Sequence, residues 1–143
     1  IGGSIIFPTN TSLAGFIKPP KIDSLLALNQ EIHQILAKFT SYTFPDLVLI
    51  DGVIGMQGNG PVYGKPIKSN WMLASTDALA ADSLATSLMG FDIKDIGYLN
   101  LIAQKKLGRL YPKDQIKIIG PDPKTLIMPY QPHQTFDQQK QWR

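Results

Sequence analysis

Leu47-Val48-Leu49-Ile50 is an unbroken apolar run between Pro45-Asp46 and Asp51-Gly52. Four consecutive apolar residues closed by turn formers on both sides read as a strand buried on both faces, the habit of a parallel sheet. A second run, Trp71-Met72-Leu73-Ala74, reads the same way, and Gln115-Ile116-Lys117-Ile118-Ile119 reads as a last strand. Between them the periodicity is helical. Leu25, Leu28, Ile32, Ile35, Leu36 and Phe39 recur at steps of three and four, so a helix is expected from Ile22 to Phe39, with Asp23 or Ser24 as its cap. Ser75-Thr76-Asp77 opens a second helix that runs to about Met89 and stops at Gly90. A third begins at Asp92 and Asp95 and ends at Gly108. Ser4-Ile5-Ile6-Phe7 is a further short strand candidate, and residues 9–20 read as loop.

This alternation predicts an α/β fold, with a mostly parallel sheet flanked by helices. The 143 residues suit a single domain, with a loosely packed tail over residues 121–143. The chain opens on Ile1-Gly2-Gly3-Ser4, with neither an initiator Met nor a charged leader, so it is expected to be a fragment of a larger domain.

Charge and composition narrow the function classes. The net charge of +3 comes from scattered lysines and arginines, and the densest cluster is only Lys105, Lys106 and Arg109. A nucleic-acid interface concentrates its charge on one face, so that partner is not expected. No apolar run approaches the roughly 20 residues of a membrane-spanning helix, and a cytoplasmic location is expected. There is no cysteine, which removes disulfides, thiol nucleophiles and cysteine-held zinc or iron–sulfur sites from this chain. His33 and His133 have no ligand partner at helical spacing, so no metal site is expected.

The densest candidate for chemistry runs from Asp51 to Pro66 and carries Gly52, Gly55, Gly58, Gly60 and Gly64. It is expected to be a loop leaving the C-terminal end of a strand, where open α/β sheets bind ligands. It is neither a P-loop nor a dinucleotide fingerprint. Asn59 stands where a P-loop needs Gly, Pro66 follows Lys65, and Tyr63 stands where the fingerprint needs its third Gly. Two readings stay open: a nest of backbone N–H groups holding an anion beside Lys65, or glycines that only satisfy turns. Asp51 is either an Asx-turn former or an acceptor for substrate or metal. Ser75, Thr76 and Asp77 either cap a helix or face the same sheet rim as Asp51. Asp82, on an otherwise apolar helix, is expected to be mostly buried and hydrogen-bonded, in a structural network or a polar site. The candidate ligand-binding set is therefore Asp51, Gly52, Gly55, Gly58, Asn59, Gly60, Gly64, Lys65, Ser75, Thr76, Asp77 and Asp82.

The blocks Asp46 to Gly52, Gly55-Met56-Gln57-Gly58-Asn59-Gly60-Pro61, Gly64-Lys65-Pro66, Ala74-Ser75-Thr76-Asp77 and Ala81-Asp82 resemble the family known as domain of unknown function 362. Gly90, Ile96, Tyr98 and Gly108 continue the likeness, which covers about residues 45–120. The resemblance implies an association with ferredoxin-like iron–sulfur modules and no established activity. It also implies an upstream Lys-Thr-His-type segment that is absent here, so a missing N-terminal half is the expected partner. The functional expectation is a small-molecule or anion site at the strand C-terminal ends, in part of a redox-linked enzyme. The alternatives are a non-catalytic anion- or metal-binding module and a scaffold domain. The cofactor and the reaction are not fixed by these residues.

Overall fold

The computed structural model describes residues 25–142. The expected strand at Ser4–Phe7 and the start of the first helix lie outside them. The elements are helix α1 (Leu25–Thr40), strands β1 (Val48–Asn59) and β2 (Tyr63–Ser75), helix α2 (Ala78–Leu88), a 3-10 turn (Ile93–Asp95), helix α3 (Gly97–Gln104), a second 3-10 turn (Pro123–Leu126) and the short helix α4 (Phe136–Gln139).

The mostly parallel sheet is overturned. Among the described residues the sheet has two strands, β1 and β2, paired antiparallel as one long hairpin. Residues 48–50 and 71–75 do face each other, with Val48 opposite Ser75 and Ile50 opposite Leu73, but they run in opposite directions. The expected loop from Asp51 to Pro66 is the body of this hairpin, and only residues 60–62 turn. The physical reason lies in the exposure of the apolar run. Leu49 is exposed while Val48 and Ile50 are half-buried, so the run is a one-sided strand and not a doubly buried one. Residues 115–119 form no strand. Ile119 is exposed and no neighbouring strand offers them a ladder.

Helix α2 is the centre of the molecule. It is apolar almost all round, with Leu79, Ala80, Ala81, Leu84, Ala85 and Leu88 buried, and such a helix must be covered on several sides. On one side Leu79 joins Ala37, Ile93, Ile96, Leu99, Ile102 and Leu110, which tie α1 and α3 together. On the other side Leu84, Ala85 and Leu88 pack with Trp71, Met89 and Tyr130 beneath the hairpin. Buried Ser83 fits this interior because its hydroxyl accepts from Tyr111 N (2.9 Å) and donates to Ala80 O (3.3 Å). At the C-terminus Gly90, at φ +78, lets Phe91 N reach back to Thr86 O (3.1 Å).

The segment after Gly120 meets the end of α2 at two backbone positions. Met128 N donates to Leu88 O (2.8 Å) and Tyr130 N to Met89 O (2.9 Å). Tyr130 and Trp142 are both buried.

Candidate functional site

The glycine-rich hairpin grips the chain's own residues 130–134. Gly55 leaves room for the Tyr130 ring: a Cβ there would overlap the hydroxyl and lie 2.6 Å from Cζ. The hydroxyl is held by Ser69 Oγ at 2.6 Å, both groups being buried. Gln131 N donates to Gln57 Oε1 (2.9 Å), and Gly58 N donates to Gln131 O (2.8 Å). Gly58 sits at φ +75, a backbone that disfavours side chains. The Asn59 amide pairs reciprocally with Gln134, accepting from its N (3.0 Å) and donating to its Oε1 (3.2 Å). At the other glycines protein atoms also fill the space. A Cβ on Gly52 would lie 2.5 Å from the Trp71 ring, and Gly60 and Gly64 lie under Met56.

Of the remaining expected site residues, Asp51 and the turn Ser75-Thr76-Asp77 lie at the same end of the hairpin, where Val48 pairs with Ser75, whereas Lys65 lies at the other end. The expectation that all of them share one rim rested on parallel strands. In the hairpin, Asp51 lies near the base, opposite Met72, whereas Lys65 lies near the tip, opposite Gln57. Ten residues of β2 separate Lys65 from Ser75, about 33 Å at ~3.3 Å per residue. Asp51 Oδ1 accepts from Val53 N (2.9 Å) at the bulge between Gly52 and Ile54. Asp77 caps α2 through Ala80 N (3.0 Å), and its second oxygen accepts from Arg109 N (2.9 Å). Ser75 Oγ bonds both N and O of Asp77 at 2.9 Å. The positive end of α2 is thus already answered by a carboxylate of its own. Thr76 and Lys65 are exposed.

Asp82 is half-buried and accepts from the Tyr98 hydroxyl at 3.4 Å. Burial pushes its carboxyl above the usual range, and the tyrosine bond only partly offsets this. The Tyr98 hydroxyl is pushed up by burial first and by the nearby carboxylate second. On the same residue, Tyr98 N donates to His33 Nδ1 (3.1 Å), so a histidine of α1 caps the first turn of α3. Burial holds that imidazole below its usual pKa, which suits an acceptor.

A concavity lies elsewhere, between the turn after α2 and residues 130–140. It is an open cleft of about 720 Å³, within the range of small-molecule sites. Phe91 and Phe136 meet in it at 5.2 Å between centroids, tilted by 58°. The Lys140 ammonium lies 4.8 Å above the Phe136 ring, 3.1 Å from Asp137 and 3.9 Å from Asp95. Asp92 and His133 also line it. Sequence reasoning passed over these residues because they fall largely in the expected tail. The signal available was Tyr130, Phe136 and Trp142: large aromatic side chains seldom stay in solvent.

Among the described residues no group of three or more His, Asp or Glu is placed to hold a metal, and no helix is long and apolar enough to cross a membrane. The residues present do not fit an iron–sulfur cluster, since the chain has no cysteine ligand.

A profile described as domain of unknown function 362 matches residues 11–87, more than half of the chain. A thylakoid-associated protein of Synechocystis sp. is 32% identical over 75 residues, 52% of this chain. Those residues span only 23% of that relative's length. No solved structure matches the chain.

Proposed function

This chain belongs to the domain of unknown function 362 family, and on that premise we propose that it is the part of a longer protein that supplies a binding cleft for a small organic cation. The family's glycine-rich motif is then the clamp that holds one wall of the cleft, residues 130–134. Redox chemistry, if the whole protein performs it, is carried by groups outside this chain.

The observation that carries the reading is the position of Lys140. Its ammonium occupies a cage made of the Phe136 ring, Asp137 and Asp95. An aromatic face with carboxylates is the environment that stabilises organic cations. The Asp137 carboxylate is 94% exposed, and an ion pair of this kind is worth only about 0–1 kcal/mol. A ligand ammonium or guanidinium can therefore displace the lysine at small cost. The anion reading of the α2 start is less well supported, because Asp77 itself accepts the N–H groups there.

Calorimetric titration of the full-length protein with putrescine, arginine, inorganic phosphate and pyruvate tests this. The amines are expected to bind and the anions not. Phe136→Leu should weaken amine binding about tenfold, while Lys140→Ala, which empties the cage, should tighten it. Binding by phosphate alone, or amine affinity indifferent to both substitutions, would refute the reading.

A further inference from the structure

Asn59-Gly60 is the one Asn-Gly pair in the chain. Glycine carries no side chain to shield its amide nitrogen, so this dipeptide is the one most open to attack of that nitrogen on the preceding side-chain amide. The pair stands at the end of β1, where the hairpin begins to turn, and both residues are half-buried. Its reactive groups are all engaged. Asn59 Oδ1 accepts from Gln134 N (3.0 Å), Asn59 Nδ2 donates to Gln134 Oε1 (3.2 Å), and Gly60 N donates to Gly58 O (3.0 Å).

We infer that Asn59 is a deamidation site, held unreacted by its bonds to Gln134, and that its reaction releases Gln134 from the hairpin. In the reaction Gly60 N loses its proton to water and attacks Asn59 Cγ. The bond from Cγ to the side-chain nitrogen breaks, ammonia leaves, and a succinimide ring remains. Water then opens the ring. Cleavage at Cγ gives aspartate, and cleavage at the main-chain carbonyl gives isoaspartate. One water is consumed and one ammonia released, with no change of oxidation state. Before the ring can close, the Asn59 amide must swing off Gln134 and Gly60 N must leave Gly58 O. A contact with residue 134 thus sets the rate of a reaction at residue 59.

The two products differ at the clamp. Aspartate keeps the length of the side chain, and a turned Gln134 amide can donate to it. Isoaspartate runs the main chain through the side-chain carbon and leaves the carboxylate directly on Cα. That adds a carbon to the backbone where Asn59 pairs with Tyr63, and it shortens the arm that reached Gln134. Gln134 N then loses its acceptor on the hairpin, and Gln131, bonded to Gly58 and Gln57, is the tie that remains. Both glutamines line the cleft, so the reaction loosens one wall of it whatever the cleft binds.

The full-length protein is incubated at mildly alkaline pH, folded and in urea, and isoaspartate at residue 59 is counted by enzymatic methylation and peptide mass. The folded protein is expected to react at least tenfold more slowly than the unfolded chain, since reaction waits for a local opening. Gln134→Ala, which removes the acceptor of Asn59 Nδ2, should raise the folded rate at least threefold. Gln134→Pro, which removes the backbone donor as well, should bring it within about threefold of the rate in urea. Melting curves show that each variant is folded, and if the Pro variant is not, the Ala variant decides alone. In parent protein aged until isoaspartate is found, hydrogen exchange at Gln134 N should be faster than in fresh protein. A folded rate equal to that in urea would overturn the inference. So would a rate that substitution of Gln134 leaves unchanged, or exchange at residue 134 that is the same in fresh and aged protein.

Discussion

Gly55→Ala is the sharpest test of the hairpin clamp. The new methyl group would be placed inside the Tyr130 ring edge, 2.6 Å from Cζ and 2.7 Å from Cε2. Tyr130 cannot retreat freely, because its backbone N is tied to Met89 O and its hydroxyl to Ser69. Overpacking of a filled core costs about 1–3 kcal/mol. Displacing the hydroxyl leaves buried Ser69 without its partner, about 1–3 kcal/mol more. The sum is about 2–6 kcal/mol, a large share of a typical stability of about 5–15 kcal/mol. At about 4 °C per kcal/mol for a chain of this size, Tm should fall by about 8–24 °C. Thermal melts of the full-length protein and its variant, followed by circular dichroism, measure it. The same change in a Tyr130→Ala background should cost less than about 1 kcal/mol, since the pair is then uncoupled. A Gly55→Ala midpoint equal to that of the parent, or an equal loss in both backgrounds, would refute the packing account.

Asp77→Ala should cost about 1–2 kcal/mol as a lost helix cap, with Asp77→Asn recovering most of it in thermal melts. Burial lowers the His33 pKa below 6.5, so the folded state binds that proton less readily than the unfolded chain. Its contribution is full above about 6.5 and is lost as the pH falls toward the lowered folded value. The urea midpoint should therefore drop between pH 7.5 and pH 5, by less in His33→Gln, whose amide oxygen still accepts from Tyr98 N; identical pH profiles would count against the cap. Asp82 has the opposite sign: its pKa is raised above 3.8, so its contribution is full below that value and is lost as the pH rises through the raised folded value. Asp82→Asn should accordingly raise the denaturation midpoint at pH 7, and a lowered midpoint there would contradict the burial argument.

The helices were legible because their signals are local. Three- and four-residue periodicity and the Asp77 cap locate α1 and α2 without reference to anything distant. The hairpin was not legible, because what makes Gly52 and Gly55 fit a strand is Trp71 and Tyr130, which are 19 and 75 residues away. Read alone, glycines and a proline lower strand propensity and mimic a loop. The apolar run at Leu47–Ile50 misled for the complementary reason. Its composition suits burial on both faces, yet one face is left open among the described residues. The candidate residues were placed on real structure, but Asn59 and Gly58 meet Gln134 and Gln131 of the same chain. No spacing rule reports a partner contributed by residues 131–134.

The Ser69–Tyr130 bond spans 61 positions, and that has a consequence for how the protein is made. A ribosome adds about 5–20 residues per second, so the hairpin waits about 3–12 s for the aromatic ring that completes its inner side. During that interval the part of its inner side that Tyr130 fills is open, with only α2, made earlier, to lie beneath Trp71. Slow codons between residues 76 and 129 would lengthen that exposure, and a chaperone that holds extended apolar segments would find its longest-lived target there.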